Sequence, residues 1–237
     1  MSRKLLIAAT ALASPLVWGL AAPQVWAANC PSPTTLMSYI SPSSITCQIN
    51  NLQFSMFSLT PGGSNPPAAN GSTIGVNTIT TPGNEGFNLN PAFNVVAGQS
   101  ADALIDFEVM GLNGILISDL SIAFNGAFTA PGSTSFSETY CTTGFGTGVC
   151  NNFTVTNPPP NLNQQINITP TSTLFIEKDM IANGGPAGGG GQASISQASN
   201  QFSNTSTSTV PEPMSLALLA SGLVGLGCLG RRRRKTV

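Results

Sequence analysis

The sequence contains no histidine and very few charged residues. Only 7% of its 237 residues are charged, against about a quarter in an average soluble domain. Without histidine, the chain lacks the base of the Ser–His and Cys–His pairs on which most serine and cysteine hydrolases depend. Zinc sites built on histidine are excluded for the same reason. These shortages argue against the commonest hydrolytic chemistries.

Basic residues are almost absent between the two ends of the chain. Lys178 is the only lysine or arginine in residues 28–210, and the same stretch contains eight aspartates and glutamates. Its net charge is therefore −7, from one positive and eight negative side chains. A segment this acidic offers no electrostatic footprint for nucleic acid, which we exclude as a partner. Lys178 lies between Glu177 and Asp179 on a predicted strand, and we interpret it as a salt-bridged surface residue.

The N-terminus has the three parts of a secretory signal peptide. Arg3 and Lys4 precede an apolar stretch over residues 5–20, and small residues stand at Ala27 and Ala28. Pro15 and Gly19 interrupt the apolar stretch, which is already short for a membrane span. We therefore predict that residues 1–27 are a signal peptide read by the Sec export machinery and removed after Ala27.

Four cysteines lie in the middle of the chain and a fifth, Cys228, lies in a C-terminal apolar run. An even number in an exported domain predicts two disulfides, and three pairings are open. We favour the two pairings that close the shortest loops, Cys30 with Cys47 and Cys141 with Cys150.

The C-terminus has a proline-flanked carboxylate, an apolar run and a basic cluster, in that order. Pro211 and Pro213 hold Glu212 in extended backbone, because proline fixes its own φ and restricts the residue before it. The apolar run over 214–230 is just long enough to cross a membrane as a helix. The cluster after it stops transfer and stays cytoplasmic; it consists of Arg231, Arg232, Arg233, Arg234 and Lys235.

At these residues the chain resembles the PEP-CTERM sorting segment, in which a Pro-Glu-Pro motif, a transmembrane helix and an arginine cluster follow one another over residues 210–237. The resemblance implies that exosortase, a membrane enzyme, is the partner, and that Pro211, Glu212 and Pro213 are its recognition residues. It also implies a precursor held in the inner membrane and a mature form at the cell surface or outside the cell.

The middle of the chain shows short runs with period-two alternation, separated by turns rich in Gly, Pro and Asn. The clearest run is 103–109, where Ala103, Ile105, Phe107 and Val109 form the apolar face. The pattern predicts an all-β ectodomain over 28–202, an antiparallel β-sandwich that is jelly-roll-like, followed by a Ser/Thr-rich tether over 203–209. Further strands are expected at 52–59, 74–80, 115–124, 133–141, 153–156, 166–169, 174–181 and about 193–202.

The carboxylates of the ectodomain offer few candidates for chemistry. Asp106 and Glu108 would share a strand face about 7 Å apart at the backbone, so a glycosidase pair is possible in principle. We interpret them instead as solvent-facing acids that discourage edge pairing. Calcium is the one cofactor these acids suggest, although no known calcium-loop pattern is present. We assign no catalytic, cofactor or metal residue.

The sequence therefore predicts a non-enzymatic structural or adhesive protein of biofilm or exopolysaccharide, with extracellular polysaccharide as a partner. The alternatives are a carbohydrate- or calcium-binding module and, more remotely, a carboxylate-based hydrolase.

Overall fold

The computed structural model describes residues 27–64 and 69–206, and most of them lie in β-strands. Residues 1–26 of the predicted signal peptide and the whole predicted sorting segment, 210–237, lie outside the described residues. Within the described ranges, no helix is long and apolar enough to span a membrane. The predicted membrane helix over 214–230 therefore stays a prediction.

Fourteen strands and one short helix make up the described fold. In chain order they are β1 (Ala28–Asn29), β2 (Thr34–Thr35), α1 (Met37–Ile40), β3 (Cys47–Ile49), β4 (Leu52–Ser64), β5 (Gly75–Thr81), β6 (Asn84–Asn90), β7 (Phe93–Val96), β8 (Ser100–Gly111), β9 (Ile115–Thr129), β10 (Ser133–Cys141), β11 (Cys150–Asn157), β12 (Asn163–Thr171), β13 (Thr173–Asn183) and β14 (Gln192–Ser206).

The strands form two sheets. Sheet I has the order β1-β3-β4-β8-β13-β10-β11, and sheet II has the order β12-β9-β14-β6-β5-β2, with β7 paired to one end of β14. All pairings are antiparallel except that of β1 with β3. The predicted all-β antiparallel sandwich is confirmed, although its sheets have more strands than the eight in total of a jelly roll.

The core lies between the sheets and is built by alternation along the strands. The predicted apolar face of β8, Ala103, Ile105, Phe107 and Val109, is buried, together with Ala101. Aromatic rings fill the centre, because period-two burial aims phenylalanines from both sheets at one another. The ring of Phe107 lies 5.5–6.2 Å, centroid to centroid, from four others, those of Phe54, Phe57, Phe87 and Phe202.

Both favoured disulfides are present. Cys30 pairs with Cys47, with their Cα atoms 4.7 Å apart, and Cys141 pairs with Cys150, with a Cα separation of 4.2 Å. The first fixes the N-terminal segment to β3, and the second closes the loop between β10 and β11. Structural disulfides of this kind persist in oxidising compartments, so the domain belongs outside the reducing cytoplasm.

Two strands continue through segments that the sequence favours as loops. Asn125-Gly126, directly after the strand predicted over 115–124, is a common turn sequence, but β9 runs straight through it beside a bulge in its pairing with β14. A Cβ atom at Gly126 would lie 2.5 Å from Thr134 Oγ1, so this glycine permits close packing rather than a turn. At the C-terminal end, β14 continues to Ser206, and residues 203–206 of the expected tether pair with β9.

Candidate functional site

Three polar side chains meet inside the apolar core, and we call them the core triad. Glu138 on β10 and Lys178 on β13 are direct partners in sheet I, and Asn200 reaches them from β14 in sheet II. All three residues have 0% exposure. The expectation that Lys178 lies at the surface is therefore wrong, although it does contact a carboxyl group, that of Glu138.

One carboxylate oxygen joins the triad. Glu138 Oε2 contacts Lys178 Nζ and also accepts a hydrogen bond of 2.8 Å from Asn200 Nδ2. The Asn200 amide donates a second, longer bond of 3.3 Å to the backbone oxygen of Ser121. The rings of Phe107 and Phe136 lie 5.5 and 5.4 Å from Nζ, so aromatic groups exclude water from this nitrogen.

The apolar surroundings of the core triad disfavour the charged forms of Glu138 and Lys178. Burial raises the pKa of Glu138, against the attraction of Lys178, and burial lowers the pKa of Lys178, against the attraction of Glu138. Glu138 Oε1 and Asn200 Oδ1 are buried without any hydrogen-bond partner. Both directions favour a neutral amine beside a protonated carboxylic acid over two buried charges.

A second group of acids lies on the outer face of sheet I, on β8 and β13. Ser58 donates a hydrogen bond of 2.8 Å to Asp106, and Ser55 donates one of 2.8 Å to Glu108. β8 lies between β4 and β13, so it is not an edge strand. The interpretation that Asp106 and Glu108 discourage edge pairing is therefore wrong. Among the described residues, no group of three or more potential ligands could hold a metal ion.

Asp179, on this face, has a pKa well above its ordinary value. Partial burial, a hydrogen bond with Asp102, and repulsion from Asp102 and Glu177 together raise the pKa of Asp179 to about 7. The folded domain thus holds this proton up to about pH 7, whereas an unfolded chain releases it near pH 4. The contribution of Asp179 to stability is therefore present at low pH and is lost as the pH rises from about 4 to about 7.

We expect Asp179→Asn to remove this pH dependence, because asparagine has no proton to lose. At pH 8 the variant should be more stable than the wild type by about 1 kcal/mol, a small gain because water partly screens this half-buried side chain. Urea unfolding at pH 5 and pH 8 measures the change. Asp119→Asn is the matched control, because it makes the same substitution on sheet II and leaves the Asp102–Asp179 repulsion in place. A slope between pH 5 and pH 8 that is unchanged in Asp179→Asn contradicts this assignment.

A second buried acid links the two sheets. Glu85, on β6 of sheet II, has 0% exposure and accepts hydrogen bonds from Asn50 Nδ2 at 3.0 Å and from the Gly83 backbone at 3.1 Å. Asn204 Nδ2 on β14 also donates to it. Asn50 lies between β3 and β4 of sheet I, so Glu85 acts as a structural bridge.

The outer face of sheet II carries a shallow groove of about 250 Å³ where β12, β9 and β14 meet. Amide side chains dominate its lining, with Gln164 and Asn163 from β12 and Gln201 from β14. Amides both donate and accept hydrogen bonds, as sugar hydroxyls require. The lining contains no aromatic ring on which a sugar would stack.

The structure confirms the predicted disulfide pairings but does not describe the C-terminal residues to which the sequence assigns a role in processing. The four disulfide cysteines are paired as favoured. The exosortase-recognition residues and the C-terminal basic cluster lie outside the described residues, so their roles stay predictions.

The core triad was missed, although the sequence carries a signal for it. Lys178 has the same strand parity as the buried residues Ile176 and Met180, and Glu138 has the parity of Phe136. The pattern alone therefore placed both charged groups on an inward face.

Comparison with known proteins identifies no family. No protein-family model and no curated protein matches the sequence. Among solved structures, the chain is similar to TmCBM61 in complex with β-1,4-galactotriose, with 10% identity over 61% of this chain and 86% of that chain and a TM-score of 0.31. A similarity this loose has no bearing on function.

Proposed function

We propose that the protein is an exported, exosortase-processed surface or matrix protein whose β-sandwich has a structural or adhesive role. The observation that carries this proposal is the order of signals after the folded domain. Pro211, Glu212 and Pro213, the apolar run 214–230 and the basic cluster follow one another. Only residues 207–210 separate the last strand from this motif.

The chemistry of the domain supports a structural role. Its two disulfides suit an oxidising environment outside the cytoplasm. Its buried acids serve the fold, because Glu85 bridges the sheets and Glu138 is held within the core. Asp106 and Glu108 each accept a hydrogen bond from a serine of the neighbouring strand β4. These two acids are the pair that a carboxylate-based hydrolase would need.

Processing at the Pro-Glu-Pro motif can be tested in the native host. We expect mass spectrometry of the mature protein to find a C-terminus upstream of Leu216. Glu212→Ala should leave the tail attached and the protein in the membrane fraction, because the charged recognition residue is gone. Ser208→Ala, three residues before the motif, is the control and should be processed normally. Mature wild-type protein that retains residues 216–237 contradicts the proposal.

A carbohydrate-binding module is the second candidate, and the amide-lined groove on sheet II is the observation that favours it. A glycan array probed with the exported domain separates the two functions. A passive structural domain should give no selective signal, whereas a binding module should recognise a defined glycan. Gln201→Ala should then remove the signal, because Gln201 lines the groove.

A further inference from the structure

The core triad is unusual for a buried ion pair, because it combines a nucleophile, a proton carrier and an electrophile. Lys178 supplies an amine, Glu138 a carboxyl group, and Asn200 a carboxamide. Both nitrogens contact the same oxygen, Glu138 Oε2, so the amine and the amide are held on either side of a single proton-carrying group. All three residues are fully buried, where no water competes for reaction with the amide.

We propose that Lys178 Nζ and Asn200 Cγ join in an intramolecular isopeptide bond, with Glu138 as the proton carrier. The bond would connect β13 of sheet I covalently to β14 of sheet II, across the middle of the sandwich. This proposal concerns the folded domain alone and does not depend on processing of the C-terminal tail.

The reaction balances without any external reagent. The lone pair of neutral Lys178 Nζ attacks Asn200 Cγ, and a C–N bond forms as the carbonyl π bond opens. Glu138 takes a proton from Nζ and delivers one to Nδ2. The Cγ–Nδ2 bond then breaks, ammonia leaves, and the carbonyl re-forms. The products are a secondary amide, one ammonia and a regenerated Glu138.

The surroundings favour each step. Burial lowers the pKa of Lys178 and raises that of Glu138, and both shifts favour the uncharged amine and the protonated acid that the reaction uses. Before reaction, Glu138 Oε1 and Asn200 Oδ1 have no hydrogen-bond partner. A proton on Oε1 would let Glu138 donate to the former Asn200 carbonyl, while Oε2 accepts from the new amide N–H. The product thus satisfies two oxygens that the separate side chains leave unpartnered.

Asn200, rather than Glu138, is the carbonyl that the geometry assigns to the bond. A bond from Lys178 to Glu138 would join two neighbouring strands of one sheet and would consume the group that contacts both nitrogens. The two routes differ in mass, because one releases ammonia and the other releases water.

Trypsin gives a direct test, because Lys178 is the only lysine or arginine in residues 28–230. The full-length chain is expressed with its own leader, recovered after export, then unfolded, reduced and alkylated before digestion. An acylated lysine is not a trypsin site, so we expect the wild-type domain to stay in one piece. Cleavage of the wild-type chain after Lys178 would overturn the proposal.

Mass spectrometry identifies the linked residues. Digestion after glutamate cuts at Glu177, whereas the bond between Glu212 and Pro213 resists cleavage, so Lys178 and Asn200 share one peptide that begins at Lys178 and ends at the C-terminus of the recovered chain. We expect this peptide to be lighter than its sequence by one ammonia, about 17 Da. Its fragment ions should be missing between the two linked residues. Ring closure at Asn183–Gly184 also releases ammonia, but it leaves Lys178 open to trypsin. A peptide at its full sequence mass, or a loss of water with a link to Glu138, rejects the assignment.

Two variants locate the chemistry. Asn200→Ala removes the electrophile and Glu138→Ala removes the proton carrier, and both keep the trypsin site. We expect each variant to have its full sequence mass and to be cut after Lys178. If Asn200→Ala still resists trypsin and still lacks ammonia, the bond has been placed on the wrong residue. The wild-type result decides the proposal even where a variant fails to fold.

Discussion

Replacing Phe107 with alanine should lower the free energy of unfolding by about 4 kcal/mol. The side chain is 2% exposed, and its ring lies among four other phenylalanine rings that come from both sheets. Truncation removes the ring and leaves a cavity that the flanking strands are too well paired to close. Urea unfolding of the oxidised domain, followed by circular dichroism, measures the loss.

Phe175→Ala is the matched control for this prediction. Phe175 lies on the neighbouring strand β13 but on the outer face of sheet I, where its ring contacts Phe145 at 5.3 Å. Because it is partly exposed, we expect its truncation to cost about 1 kcal/mol. Equal losses at Phe107 and Phe175 would mean that the packed centre of the sandwich is not where its stability lies.

Glu85→Ala should cost about 3 kcal/mol, because it removes a fully buried carboxylate that accepts three partly buried hydrogen bonds. The donors are Asn50 Nδ2, the Gly83 backbone N–H and Asn204 Nδ2, which belong to three different segments of the chain. Thermal and urea unfolding at pH 7 give the change.

Glu85→Gln keeps one acceptor oxygen, and we expect it to lose less than half as much. Glu177→Ala, which truncates a partly exposed acid of sheet I, controls for loss of charge and should change stability by less than about 0.5 kcal/mol. A Glu85→Ala domain as stable as the wild type would show that the bridge between the sheets is dispensable.

Much of the sandwich could be predicted from period-two alternation. The strand predicted over 133–141 has the observed bounds of β10, and the apolar face of β8 is the observed one. The strands β6 and β7 were missed, because Asn84–Asn90 has only two large apolar side chains, Phe87 and Leu89, and Phe93–Val96 is only four residues long. Their burial comes from pairing with β14, about 100 residues later in the chain, which no local pattern reveals.

The core triad was harder to predict than the fold, for a physical reason. Lys178 lies between Glu177 and Asp179 in the sequence, and such a charged segment indicates a surface position because charged groups are rarely buried. The parity of the strand indicated the opposite, but only the pairing of Lys178 with Glu138 and the approach of Asn200 from the other sheet make burial tolerable. Sequence spacing carries no information about partners 40 or 62 residues away.

The place of β14 in sheet II determines how the domain responds to tension. This last strand pairs with β9 along nearly its whole length, and with β7 and β6 on its other side. A pull applied at its C-terminal end would load both hydrogen-bond ladders in shear, whereas an edge strand under the same pull can peel away one bond at a time. The domain is thus joined to its C-terminal tail through one of its most firmly held strands.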